Sequence, residues 1–307
     1  MLPHEPRDMK ATAEPIESTA AAHRGFMAVY SDLFKARLTF LVVLTTVVGF
    51  FVGTRGPIQP LLLTLTLVGT AMVASGAAAL NQYIERDHDT RMRRTSSRPL
   101  PAKELSPGHV LLIGSITSLI GLGILQFWVN SLTALLGAAT LLSYLFVYTP
   151  LKRLTTLNTI IGAIPGALPP LMGWAAARND ITLGGWSLFA ILFLWQLPHF
   201  LAIAWLYRED YAQAGYVMLP VVDPDGARTG SQAVSHSLLL IPVSLAPFIL
   251  KLVGPVYLFG ALAAGIGMLV MAWKFSRSLS AASARRLFFA SIIYLPLILA
   301  LMVLDKS

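Results

Sequence analysis

Apolar residues gather in nine stretches, at 38–54, 60–84, 108–127, 131–149, 157–177, 183–206, 232–252, 255–273 and 287–304. Each is close to the roughly 17–25 residues that carry a helix across a bilayer. Polar residues collect between them. In lipid only helices or closed barrels satisfy their own backbone, so the pattern predicts an all-α polytopic membrane protein of about nine helices. Residues 1–30 fit no targeting segment, because they lack the basic start and apolar run of a secretory signal, and Glu5, Asp8, Glu14 and Glu17 argue against a transit peptide. They read as a disordered cytoplasmic tail ahead of one transmembrane domain over 31–307.

Composition fits this picture: of 307 residues 55% are hydrophobic and only 12% charged, and the mean hydropathy is +0.67. A formal net charge of +8 would suggest nucleic acid in a soluble protein. Here loop asymmetry accounts for it. With the N-terminus in the cytoplasm, nineteen of the 23 lysines and arginines fall on the cytoplasmic side, and only Arg55, Arg178, Lys251 and Lys306 face the other way, as the positive-inside rule requires. The expected orientation has the N-terminus in the cytoplasm, with lipid rather than nucleic acid as partner; the expected setting is a bacterial cytoplasmic (inner) membrane. The chain has no cysteine, which excludes disulfides, thiolate metal sites and a cysteine nucleophile.

The charge that remains is concentrated. Residues 81–98 hold three carboxylates and five arginines directly after an apolar helix. Asn81, Glu85 and Asp89 stand at i, i+4 and i+8, so a helix turns all three to one side with neighbours about 6 Å apart. One or two carboxylates, with water and substrate phosphate completing the shell, are the usual grip on Mg²⁺ in phosphate chemistry. The arginines suit the phosphate oxygens. The plainer reading is a solvated loop whose basic residues only orient the chain. Eight of the ten acids beyond Asp32 lie in the loops after the second and sixth helices, as expected if two four-helix halves each give an acidic rim to one cavity.

Three further groups invite a role. Lys152 and Arg153 form a basic pair at the membrane edge, followed by a helix with Gly162, Gly166, Pro169, Pro170 and Gly173, whose small residues favour close packing and whose prolines suggest a kink or a cavity wall. The sixth helix carries Trp195, Gln196, Pro198 and His199. A histidine inside a span is a functional candidate; it could meet an acceptor, ligate iron, or bond a neighbouring helix. His88 faces the loop and is given no role.

These motifs have a familiar arrangement. N-x3-E-x3-D-x2-M-x-R-T-x2-R-P-L at 81–100 resembles the first signature of the UbiA superfamily of intramembrane prenyltransferases. YTPLKR-x-T-x2-N at 148–158, G-x3-G-A-x-P-P-x2-G-W at 162–174, PHF at 198–200, YREDY-x3-G at 207–215 and MLPVV at 218–222 are similar to its haem O synthase branch. The likeness covers nearly all the chain after residue 30. It implies nine helices around a central cavity open to the cytoplasmic side, with Mg²⁺ as cofactor. It also implies transfer of farnesyl from farnesyl diphosphate to a vinyl group of protohaem IX, with addition of water, giving haem O. On this resemblance Asn81, Glu85, Asp89 and Asp210 form the catalytic and metal-binding set; Arg94, Arg98, Lys152, Arg153 and Arg208 take the diphosphate; and His199 meets the acceptor. Association with haem A synthase or terminal oxidase assembly is a further implied partnership. Two positions depart from the wider family: Glu85 replaces the favoured aspartate, and Tyr207 and Tyr211 stand where a second D-x3-D pair is usual. The alternatives are the same chemistry on a quinone precursor or other aromatic acceptor and, more distantly, a cation-coupled transporter, though transporters usually keep their key carboxylates near mid-membrane.

Overall fold

The computed structural model describes residues 24–307. The tail expected over 1–30 lies outside the described residues as far as 23. Its last residues are not disordered: a short helix, α1, spans Phe26–Leu33. It turns through Phe34 and Lys35 into α2, Ala36–Gly53. Then follow α3, Pro60–Asp89; α4, Pro107–Ile124, prolonged as a π-helix through Leu125–Val129; and α5, Ser131–Leu142, prolonged through Ser143–Tyr148 in the same way. The second half holds α6, Asn158–Arg178; α7, Leu183–Leu206; two short helices, α8 (Arg208–Gln213) and α9 (Leu219–Val222); α10, Ala227–Ile249; α11, Pro255–Ser278; and α12, Ala281–Leu304. Among the described residues nine helices are long and apolar enough to cross a membrane. They match the nine apolar stretches, with starts or ends that run up to six residues further into polar sequence.

The bundle is not a plain ring of sequential neighbours. Besides hairpin pairs such as α3 with α4 and α10 with α11, α2 packs on α6 and α7 packs on α12. The α2–α6 contact is unusually close because both helices offer glycine: a Cβ on Gly49 would stand 1.9 Å from the Pro170 carbonyl oxygen, and one on Gly173 2.0 Å from that of Thr46. Without a hydrophobic drive between helices in lipid, such close backbone approach is what holds them together. Pro165, Pro169 and Pro170 are all buried in α6 and leave it one continuous helix, so here they pack rather than interrupt. Gly49→Ala should force the two helices apart and cost about 1–3 kcal/mol or more. Gly123→Ala, where an added Cβ meets nothing within 4 Å, is the matched control. Thermal midpoints in detergent check this, and equal midpoints for the two would refute it.

The C-terminus closes the bundle at the end opposite the acidic loops. Asp305 accepts from the backbone nitrogen of Tyr257 (2.7 Å) in the first turn of α11, and Lys306 donates to the carbonyls of Phe51 (2.6 Å) and Thr54 (2.9 Å) at the end of α2. Each charge thus meets the helix end whose free backbone groups it complements.

Candidate active site

The third helix runs five residues past its apolar stretch and so carries Glu85 and Asp89 inside the fold. Basic Arg86 and His88 in its last turn suit the negative end of the helix, and the Thr95 hydroxyl donates to the carbonyl of Asp89 at 2.9 Å. As the spacing predicts, Asn81, Glu85 and Asp89 share one face, and that face is buried: their exposures are 1%, 5% and 0%. Buried carboxylates need partners. Glu85 Oε1 accepts from Lys152 Nζ at 2.7 Å and Asp89 Oδ2 from Arg98 Nη1 at 2.7 Å, so two of the expected diphosphate ligands stand directly against the carboxylate row.

The fifth helix builds the facing wall. Tyr144, Tyr148 and Lys152 repeat the i, i+4, i+8 spacing of the acidic row. The first two lie in a π-helical segment, a rare widening that recurs at functional sites. Tyr144 donates from its hydroxyl to Asn81 Oδ1 at 3.1 Å, the two rings stack at 5.7 Å, and Lys152 Nζ lies 4.7 Å from the centre of the Tyr148 ring. Lys35, at the turn between α1 and α2, adds a third cation by donating to Asn81 Oδ1 at 3.0 Å. Burial and the nearby Arg98 and Lys152 charges lower its pKa to about 7, against the pull of Glu85 and Asp89. Lys152 is shifted the other way. Burial works to lower it, but the Glu85 carboxylate outweighs that and holds it well above the usual lysine value.

Loops after α3, α5 and α7 are knitted together over this wall. His88, which the sequence left without a role, joins them: Arg153 Nη1 lies 3.0 Å from its Nε2, and its Nδ1 lies 3.3 Å from the Ala214 carbonyl. Arg153 is thus a loop tie rather than part of the carboxylate row. Arg94 donates to the Tyr211 hydroxyl at 3.0 Å and stacks over the Tyr207 and Tyr211 rings.

The second acidic loop is arranged differently from the expectation. Because Tyr207 and Tyr211 turn toward Arg94, helical geometry points Asp210 about 100° away from Tyr211. Among the described residues no three His, Cys, Asp or Glu side chains converge as a metal shell would require, so Asp210 does not join Glu85 and Asp89. Arg208 also stays apart, lying over the Trp205 ring at 4.6 Å and lining with Glu209 and Pro220 a recess of about 200 Å³. His199 is placed elsewhere again. Its Nδ1 is 2.7 Å from Ser291 Oγ on α12, and its ring stacks between Trp195 and Phe288. Its interhelical hydrogen bond, one of the three readings left open by the sequence, is therefore made, and an acceptor role would have to use Nε2.

Sequence reasoning missed Lys35, Tyr144 and Tyr148. The tyrosines carried a signal in their shared spacing with Lys152. Lys35 carried none, since it counts in sequence as one more basic residue of the tail.

One observation bears on a metal. Asp89 Oδ1 is buried without a hydrogen-bond partner, a costly state for a carboxylate oxygen unless a ligand meets it. Glu85 lies one turn before it on the same face and the Asn81 amide oxygen two turns before, so the donors along the row are all oxygen, as Mg²⁺ prefers.

Solved structures share the fold. A digeranylgeranylglyceryl phosphate synthase shares the fold with a TM-score of 0.77 at 16% identity, covering 91% of this chain and 98% of that one. A UbiA homolog from Archaeoglobus fulgidus, solved bound to DMAPP and Mg²⁺, gives 0.65 at 16% identity over 89% and 99%. In sequence, the protoheme IX farnesyltransferase of Solibacter usitatus is 47% identical over 91% of this chain and 99% of its own. That of Koribacter versatilis is 41% identical over 97% and 100%, and the mitochondrial enzyme of Arabidopsis thaliana 37% identical over 96% and 70%. The model of the UbiA prenyltransferase family matches residues 42–293, and with relatives this similar over nearly its whole length the chain belongs to that family.

Proposed function

We propose that this protein transfers the farnesyl group of farnesyl diphosphate to a vinyl group of protohaem IX, giving haem O. The observation that carries the reading is the buried row Asn81, Glu85 and Asp89 with Lys152 and Arg98 already at 2.7 Å from its carboxylates, in a chain whose relatives bear the name of that reaction. Asp89, Glu85 and Asn81 are the residues that would hold Mg²⁺, which when bound supplies positive charge to the departing diphosphate.

The chain's own groups do the rest. Lys152 and Arg98 are fixed cations at the diphosphate end, with the Lys35 amine beside them at Asn81, stabilising the charge that grows on the leaving group as the allylic C–O bond breaks and its electron pair departs. The rings of Tyr144 and Tyr148 line the same wall, and their π faces favour the cationic farnesyl carbon while keeping bulk water away. The vinyl π electrons then form the new C–C bond. Water adds to the resulting cation and loses a proton, leaving the hydroxyl of the product. Arg94 stands at the rim with Tyr211 and guards entry. Purified protein in lipid with Mg²⁺, farnesyl diphosphate and either protohaem IX or 4-hydroxybenzoate should prenylate only the first, as read by mass spectrometry; prenylated 4-hydroxybenzoate would overturn the choice of acceptor.

The orientation belongs to the same proposal. Nineteen basic residues against four support a cytoplasmic N-terminus and site mouth, in the inner membrane of a bacterium. Reporters fused at Ser97 and Ala227 should read cytoplasmic, and one at Arg178 external. The same side for all three would refute the arrangement.

A further inference from the structure

The turn of α3 that presents Asn81 to the site presents its neighbour Gln82 to α1, about 100° around the helix. Gln82 is fully buried, at 0% exposure, and its Nε2 donates to two successive carbonyls, those of Asp32 and Leu33, at 3.0 Å each. Both lie among the carbonyls at a helix end that no longer have an intrahelical partner; Asp32 O also accepts from the backbone nitrogen of Lys35 at 3.1 Å. Two residues beyond Leu33, Lys35 sits in the left-handed region, with φ 46° and ψ 54°, a conformation a lysine keeps only where its surroundings impose it. From there its Nζ reaches Asn81 Oδ1.

The other anchors of α1 hold it through side chains. Arg24 pairs with Glu104 and Asp32, and Tyr30 meets His109 Nε2 at 2.8 Å. Leu33 packs with Ala79, Leu100 and Val110, which sets the depth of the helix; Tyr30 O and Asp32 O accept from the backbone of Phe34 and Lys35, and Gln82 supplies the donor to the Leu33 carbonyl. We infer that Gln82 is a positioning residue for the diphosphate site: by holding the final turn of α1 it keeps Lys35 extended over Asn81, so that α1 is a strap delivering a cation to the mouth. The inference rests on the reading of that mouth as a diphosphate site. It ties one turn of one helix to two tasks, donor on one side and strap anchor on the other.

A double-mutant cycle tests it, because residues that act through one another do not add. Gln82→Met keeps length and removes the N–H donors; Lys35→Met removes the cation. Each alone should raise the KM for farnesyl diphosphate about tenfold, the usual scale of one charge-assisted hydrogen bond, while the KM for protohaem IX stays unchanged. The double variant should be no worse than Lys35→Met. Losses that multiply, or a Gln82→Met defect shared equally by both substrates, would overturn the positioning role. Should Gln82→Met fail to insert, Gln82→Asn, which keeps the amide one methylene short, takes its place in the cycle. Binding of pyrophosphate with Mg²⁺ separates the two levels of the argument: if Glu85→Gln leaves it intact the diphosphate reading fails, whereas if Glu85→Gln abolishes it and Lys35→Met does not weaken it, only the strap fails.

Discussion

Glu85→Gln or Asp89→Asn should lower turnover by at least about a hundredfold, the scale of losing one preorganised electrostatic contact at a reacting centre, while the protein still inserts and folds. Each change removes a unit of negative charge at nearly constant shape. Glu85 and Asp89 are buried and each already accepts a charged hydrogen bond at 2.7 Å, so the amide that replaces either one can keep that bond through its carbonyl oxygen. It cannot keep the charge. Asp89→Asn has the further effect of changing the orphan oxygen Oδ1, the atom best placed to meet an ion. Excess Mg²⁺ should recover part of the activity in either variant, because weaker metal binding yields to mass action. Rates measured with farnesyl diphosphate and protohaem IX, alongside folded yield from size exclusion, decide the matter. Near-normal rates for the double variant would reduce the row to a structural feature.

Lys152→Met should cost stability as well as activity. The Lys152–Glu85 pair is nearly sealed, with side-chain exposures of 13% and 6%, and Glu85 holds the lysine charged. Deleting one partner of such a pair leaves the other buried without compensation, a loss of about 3–5 kcal/mol. The methionine fills the space beside Tyr148 but leaves the carboxylate alone. Glu85→Gln combined with Lys152→Met should regain most of that stability, because replacing both ends of a buried pair is often neutral. It should regain no turnover. Thermal midpoints and rates on the same four proteins therefore separate what the pair does for the fold from what it does for the reaction. If Lys152→Met unfolds no earlier than the parent protein, Glu85 finds another partner. If the double variant regains activity along with stability, the pair serves packing alone.

The nine spans were legible in the sequence because lipid imposes one rule on every one of them: each must bond its own backbone and present apolar side chains over a fixed thickness. The shared face of Asn81, Glu85 and Asp89 was legible for an equally local reason, the helical period, and continuation of α3 to Asp89 made that period apply. Local rules could not place what the helix packing decided. Lys35 reaches the site from forty-six residues before Asn81, and no periodicity links them. Asp210 was expected at the metal from its motif, yet among the described residues no three His, Cys, Asp or Glu side chains converge. His199 was equally ambiguous until α12 came alongside and Ser291 supplied its partner. Sequence by itself determined the nine spans and the acidic row, since each follows from contacts within a few residues along the chain. Only the tertiary structure decided which cations face that row and which acids do not, because a charge is placed by the neighbours that pay for its burial.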